Sequence, residues 1–263
     1  MPRFACRDKL RLDLKRKSQH WTTFEKTSIE DRRRKLEGRV KDFNEKAKEF
    51  IGNDSDEDVE IQPQYTGWEE GDKEDDENEN ESSESDWRDE EDNQEEPETS
   101  PIWMPSSFKQ EDVKRFGLAT MASQELELRK GQANDCLQSL RLALGHKAVI
   151  YRTKVRKSNF TNQKTRAWDD IKASEAKVNK HVRAYRRARA ALKHLGADNA
   201  TLSDYQMLQK TDLRLSADIT EENRMGQRSD TLPWFWRMKG QNEDQHNAWM
   251  QECEFAFAQD RSF

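Results

Sequence analysis

Residues 123–157, SQELELRKGQANDCLQSLRLALGHKAVIYRTKVRK, and residues 163–195, QKTRAWDDIKASEAKVNKHVRAYRRARAALKHL, decide the fold. In the first run Leu126, Ala133, Leu137, Leu140, Leu144, Tyr151 and Val155 recur along one helical stripe. In the second, Trp168, Ile171, Val178, Val182, Tyr185 and Leu192 do the same, and Gly196 ends the pattern. Each run gives a helix roughly 50 Å long at 1.5 Å per residue. The link 158–162 is too short for anything but a return, so the spacing predicts an antiparallel helical hairpin over 123–195. With the turn centred near residue 161, facing positions sum to about 322. Tyr151 then meets Ile171, Leu144 meets Val178, Leu140 meets Val182, and Leu137 meets Tyr185. The same register sets Lys147 against Glu175, a polar pair able to fix the alignment.

Working outward, the chain of 263 residues is poor in material for one large core. Hydrophobic residues make up 32% and charged residues 37%, and the mean hydropathy is -1.24. So little apolar surface offsets the ordering entropy of only part of such a chain. The fold class expected is mostly α: a long antiparallel helical hairpin, additional shorter helices and a long acidic disordered segment. Residues 1–27 read as a basic, irregular N-terminus. Residues 28–51 read as an amphipathic helix, capped by Thr27 or Ser28 with Glu30 closing a capping box. Its heptad-like seam is Ile29, Leu36, Val40, Phe43, Ala47 and Phe50, and Gly52 follows its end. Residues 52–105 read as an acidic linker, and 106–263 as the helical region that contains the hairpin. Beyond it a short helix is expected over 201–215, a turn capped by Thr220, and a helix over 246–259.

Charge is segregated. Residues 1–50 carry 16 Lys/Arg and 9 Asp/Glu, residues 51–100 carry 2 and 23, and residues 101–263 carry 28 and 20. Two basic regions therefore flank one acidic block. That pattern suits a polyanionic partner, an internal charge clasp, or both. From Lys147 to Lys193 there are 15 Lys/Arg against 3 Asp/Glu, a net +12. Lys154, Lys157, Lys164, Lys172, Lys180, Arg183, Arg186 and Arg187 fall off the apolar stripe and are the candidate nucleic-acid-binding residues. A rod with a basic exterior suits a phosphate backbone, and no base-reading motif accompanies it. In the acidic block, Trp68 and Trp87 are either anchors for a partner or unconstrained linker residues. Ser55, Ser82, Ser83 and Ser85 lie among acids in a context that acidophilic kinases favour.

Nothing in the sequence forms an active site. Asp169, Asp170, Asp218, Glu221, Glu222 and Asp230 lack the strand framework on which two-metal nucleases hold their carboxylates, and acids at 169–170 suit a helix's first turns. Cys6, Cys136 and Cys253 are far apart, and the five histidines show no metal-ligand spacing with them. The expectation is no enzyme activity, no catalytic residue, no metal and no cofactor. No apolar run has the length of a membrane span, so no membrane partner is expected. A hairpin this small suggests recruitment of the 28–51 helix or a second copy, a homo-oligomer. Trp234-Phe235-Trp236 reads as an apolar plug at the hairpin's open end in preference to a base-stacking cluster.

Two stretches, residues 140–171 (LRLALGHKAVIYRTKVRKSNFTNQKTRAWDDI) and 217–238 (ADITEENRMGQRSDTLPWFWRM), resemble the C-terminal helical region of fungal Kyakuja-Dileera-Zisupton (KDZ) transposases. Residues 32–52 resemble a helix upstream in the same proteins. The resemblance covers roughly 28–51 and 115–250. It implies a transposase-derived, non-catalytic helical protein that binds nucleic acid non-specifically or joins a DNA-bound assembly. The family's nuclease core and upstream zinc module have no counterpart in this chain, so no catalytic carboxylate carries over. The last helix stops near Phe263, as in a tail segment, a truncated gene model or a remnant without retained function. The other alternative is a coiled-coil interaction module whose acidic arm engages basic proteins. The location expected is nuclear or cytoplasmic, with the Lys15-Arg16-Lys17 cluster pointing to the nucleus.

Overall fold

The computed structural model describes residues 7–11, 13, 14, 21–51, 61, 65–67, 97–157, 160–213 and 233–238. Among them the protein is helical, without strands. The helices are α1 (Thr23–Ile51), α2 (Gln110–Arg115), α3 (Ala119–Ile150), α4 (Thr161–His194), α5 (Asn199–Asp204) and α6 (Trp234–Arg237). A π turn, Tyr151–Val155, follows α3, and 3-10 turns lie at Pro105–Ser107 and Lys210–Leu213. The chain divides into two compact units. One holds residues up to Leu128 together with Ala190–Ala197. The other holds Arg129–Arg189 and the chain from Asp198 onward.

In the first unit α1 begins five residues earlier than its sequence pattern suggests. Two S/T-x-x-E boxes, Thr22–Glu25 and Thr27–Glu30, follow one another here, and the helix uses the first. The Thr22 amide and hydroxyl donate to Glu25 Oε2 at 3.1 and 2.9 Å, and the Glu25 amide donates to Thr22 Oγ1 at 3.3 Å. Thr27, expected as the cap, lies inside the helix and bonds back to the Phe24 carbonyl. The seam is as read for Ile29, Leu36 and Val40, which are buried. Phe50, at its far end, is exposed. The N-terminus is not wholly irregular: residues 7–11, 13 and 14 are helical, and Leu10, Leu14 and Trp21 pack on the α1 seam with Ile102.

Residues 97–105, grouped by composition with the acidic linker, have a defined path along α1. Glu98 is 3% exposed; its Oε1 accepts from Arg33, and its carbonyl accepts from Arg7 at 2.6 Å and from Arg11. Asn44 holds the same strap twice, donating to the Pro101 carbonyl at 3.1 Å and accepting from the Trp103 amide at 3.0 Å. Lys48 covers the Trp103 ring at 5.0 Å. Ser106 then donates from its amide and hydroxyl to the buried Glu125 carboxylate at the start of α3. Gly196 closes α4 in this unit with φ 76°. Its amide bonds to the Lys193 carbonyl and the Ala197 amide to that of Leu192, the paired bonds of a Schellman end.

The second unit is the antiparallel hairpin. Leu137, Leu140, Leu144, Ile171, Val178, Val182 and Tyr185 are all buried, as the stripes require. Lys147 Nζ lies 2.9 Å from Glu175 Oε1, which places the expected register partners together; both side chains reach solvent, so the pair borders the seam. Lys154 and Asp170 form a second crossing pair at 2.5 Å. Nearer the turn the pattern departs from expectation. Ile150 and Ala167 are buried, whereas Tyr151 and Trp168, expected in the seam, are 38% and 50% exposed. α3 also stops at Ile150 where the sequence suggested 157, because the ladder loosens into the π turn, with the Arg156 amide reaching the Tyr151 carbonyl.

Shorter segments add a flank to this hairpin. The helix expected over 201–215 is only α5, capped by Asp198, whose side chain accepts from the Thr201 amide at 3.2 Å. Tyr185 donates to the Gln206 carbonyl at 2.6 Å, Arg189 to the Tyr205 carbonyl at 2.7 Å, and Tyr205 to Asn134 at 3.1 Å. The aromatic cluster is core, with Phe235 fully buried. It docks beside Arg141 and Tyr185, along the hairpin's flank and not at its open end. Gly52, Trp68, Trp87, the acidic-block serines, the Thr220 turn and the 246–259 helix lie outside the described residues.

Candidate nucleic-acid interface

The basic residues of the hairpin separate by position and by type. Lys154 and Lys157 near the turn, and Lys164, Lys172 and Lys180 along α4, are all exposed. Arg187 is half-buried. Arg183 and Arg186, read from sequence as exterior residues, are 6% and 4% exposed and are not part of the outer surface. They lie in the half of α4 that carries the added segments, next to Tyr185 and Arg189, which bind those segments through backbone carbonyls. A reading of two bare helices does not foresee that cover.

Arginine has a further structural task that sequence reasoning missed. Arg141 donates from Nε to the Phe235 carbonyl at 2.9 Å, and from Nη2 to the same oxygen and to the Met238 carbonyl. Burial lowers its pKa from the ordinary value, a cost these acceptors offset. The guanidinium fork suits such backbone acceptors, while the lysine ammonium is more strongly hydrated and stays in water. The hairpin's charge is thus divided: Arg141 and Arg189 bind backbone carbonyls, while Lys154, Lys157, Lys164, Lys172 and Lys180 face solvent. Exposed Arg156, Arg166 and Lys177 belong with those lysines and extend the basic surface beyond the residues singled out by sequence.

The acids of this region do not cancel it. Glu175 is taken by Lys147 and Asp170 by Lys154, which leaves Lys164, Lys172 and Lys180 outside both pairs. Asp169 is exposed beside them. Such surface pairs are weak and screened by salt, so Lys154 can exchange its carboxylate for a phosphate.

In three further groups of the hairpin, Cys136, His181 and Tyr185, burial favours the neutral form. Burial pushes the Cys136 thiol up to about 11, opposed by nearby Arg187 and aided by Asp135. Burial, and then Lys180, lowers the pKa of His181. Burial raises that of Tyr185 well above the ordinary phenol value, so its hydroxyl remains a donor to Gln206. Among the described residues, no group of three or more His, Cys, Asp or Glu is placed to hold a metal ion, and no helix is long and apolar enough to cross a membrane.

Comparison of the chain with protein-family models, with curated proteins and with solved structures gives no match. The lysine surface offers positive charge at helical spacing. It can bind a polyanion.

Proposed function

We propose that the protein is a non-catalytic helical protein that binds nucleic acid through the hairpin, without sequence preference, alone or within a DNA-bound assembly. The observation that carries the reading is the exposure of Lys154, Lys157, Lys164, Lys172 and Lys180 on one hairpin, in which Arg141 and Arg189 bind backbone carbonyls. Each lysine that neutralises a phosphate releases a counterion, which gives affinity without reading the sequence. The KDZ-like stretches at 140–171 and 217–238 are consistent with descent from a transposase tail, and nuclear residence goes with the same reading.

The test is duplex DNA binding by fluorescence anisotropy across salt concentrations. The expected result is a log–log slope of about -0.9 for each phosphate contacted, indifferent to sequence. Substituting Lys172 or Lys180 by Ala should make that slope shallower by about 1 each. Absence of binding at ~50 mM salt would remove this reading. It would leave the second one, a coiled-coil interaction module whose acidic residues 53–96 engage basic proteins, for which the observation is 22 acids against 2 bases in that stretch.

A further inference from the structure

Phe160, the residue just before α4, and Lys164, Trp168 and Lys172 in its first turns form an i, i+4, i+8, i+12 series in which aromatic and basic side chains alternate. Phe160 stands at the helix's entry, where its carbonyl accepts from the amides of Gln163 and Lys164, each at 3.0 Å. Residues four apart are neighbours on a helix surface, and each step rises about 6 Å. All four side chains are turned to solvent, Phe160 at 68% and Trp168 at 50% exposure.

One exposed aromatic is ordinary on a protein surface. Two in the same ridge, each followed by a lysine, are not accounted for by the core. The seam at this level is filled by Ala167 and Ile171, which are buried, while Trp168 is half exposed beside it. Nor does a duplex explain the ridge: its bases are stacked inside, and only its phosphates are offered to a helix lying on the backbone. An unpaired strand presents both groups, base faces for aromatic rings and phosphates for ammonium groups, and alternation of the two is the surface that takes it. An anionic lipid surface fits less well. Lys164 interrupts the apolar side chains, and exposed Asp169 sits next to Trp168, whereas interfacial helices offer a continuous apolar face.

We infer that the Phe160–Lys172 ridge binds single-stranded nucleic acid, with bases stacked on Phe160 and Trp168 and phosphates met by Lys164 and Lys172. The inference rests on the polyanion reading above and gives it a substrate class. The full chain should be titrated, at one ionic strength, with an oligothymidine of about 20 nucleotides and with a duplex of the same length. Co-sedimentation with phosphatidylserine vesicles forms a third arm. The single strand should bind more tightly than the duplex. Trp168→Ala and Phe160→Ala should each weaken the single strand by roughly 5- to 150-fold and change duplex affinity less than about twofold. Trp168→Phe should restore much of the loss, because the stacking face is kept. Both rings are exposed, so the thermal midpoint of each variant should match the parent and a folding defect is excluded directly. Equal loss of single strand and duplex, no loss in either alanine variant, or binding to vesicles alone overturns the inference. Duplex binding without a single-strand preference sinks only this inference. Failure of both nucleic acids to bind sinks the polyanion reading with it.

Discussion

Arg141 and Lys172 carry the same formal charge and do different things, and the difference is desolvation. Arg141 is partly buried, where a guanidinium fork can meet the Phe235 and Met238 carbonyls. Truncation to Ala would leave the Phe235 carbonyl without that donor and loosen α6. A loss of roughly 1.5–3 kcal/mol is expected, read as a lower urea midpoint with an unchanged slope. Cys136 gives a second residue-scale prediction. With its pKa near 11, about one molecule in a thousand carries a thiolate at pH 8. In a variant with Cys6→Ser and Cys253→Ser, native-state alkylation should be slow, accelerate as pH rises towards 11, and reach ordinary thiol rates once urea exposes the site. Fast labelling at pH 8 in the native state would contradict the buried placement.

At the scale of the element, the hairpin's existence, direction and register were legible, because Leu137, Leu140, Leu144, Val178, Val182 and Tyr185 are large residues at unambiguous spacing. The Lys147–Glu175 pair confirms the alignment. Its exposure limits it to a coupling of about 0.2–1 kcal/mol in a double-mutant cycle with Ala, so it marks the register more than it enforces it. What misled was size. Near the turn the seam runs through Ala167 and Ser174, buried but small, and hydrophobicity alone promoted the adjacent Trp168. The arginine split was also hidden, since Arg183 and Arg186 are covered in a helix half that receives segments distant in sequence. For α1, two capping boxes of equal quality stood five residues apart, and local sequence cannot rank them. The structure does. Thr22→Ala should cost about 1 kcal/mol, within 0.5–2, whereas Thr27→Ala, which loses only a back-bond to Phe24, should be close to neutral in the same thermal melt.

At the scale of the whole molecule, residues 53–96 join two described segments of the first unit, α1 ending at Ile51 and the strap from Pro97, which is fastened to that same helix through Glu98 and Asn44. Glu98 is structural, while the 22 acids and 2 bases of residues 53–96 remain a polyanion tethered to a chain with a basic hairpin. A tether holds its segment at an effective concentration that reaches the millimolar range, enough to compete with external phosphate at low salt. Deleting residues 53–96 should therefore tighten nucleic-acid binding and steepen its salt slope, since fewer lysine contacts need exchanging and more counterions are released on binding. Deleting 53–100 should give the same gain in affinity and lower the thermal midpoint as well. That cut removes the buried carboxylate that Arg33 pairs with and the Glu98 carbonyl that Arg7 and Arg11 share. Breaking such a pair costs about 1–3 kcal/mol when one partner is a third exposed. If the shorter deletion leaves affinity and slope unchanged, the acidic stretch does not compete for the lysines. If the longer deletion melts no earlier than the shorter one, the strap is not part of the first unit's core.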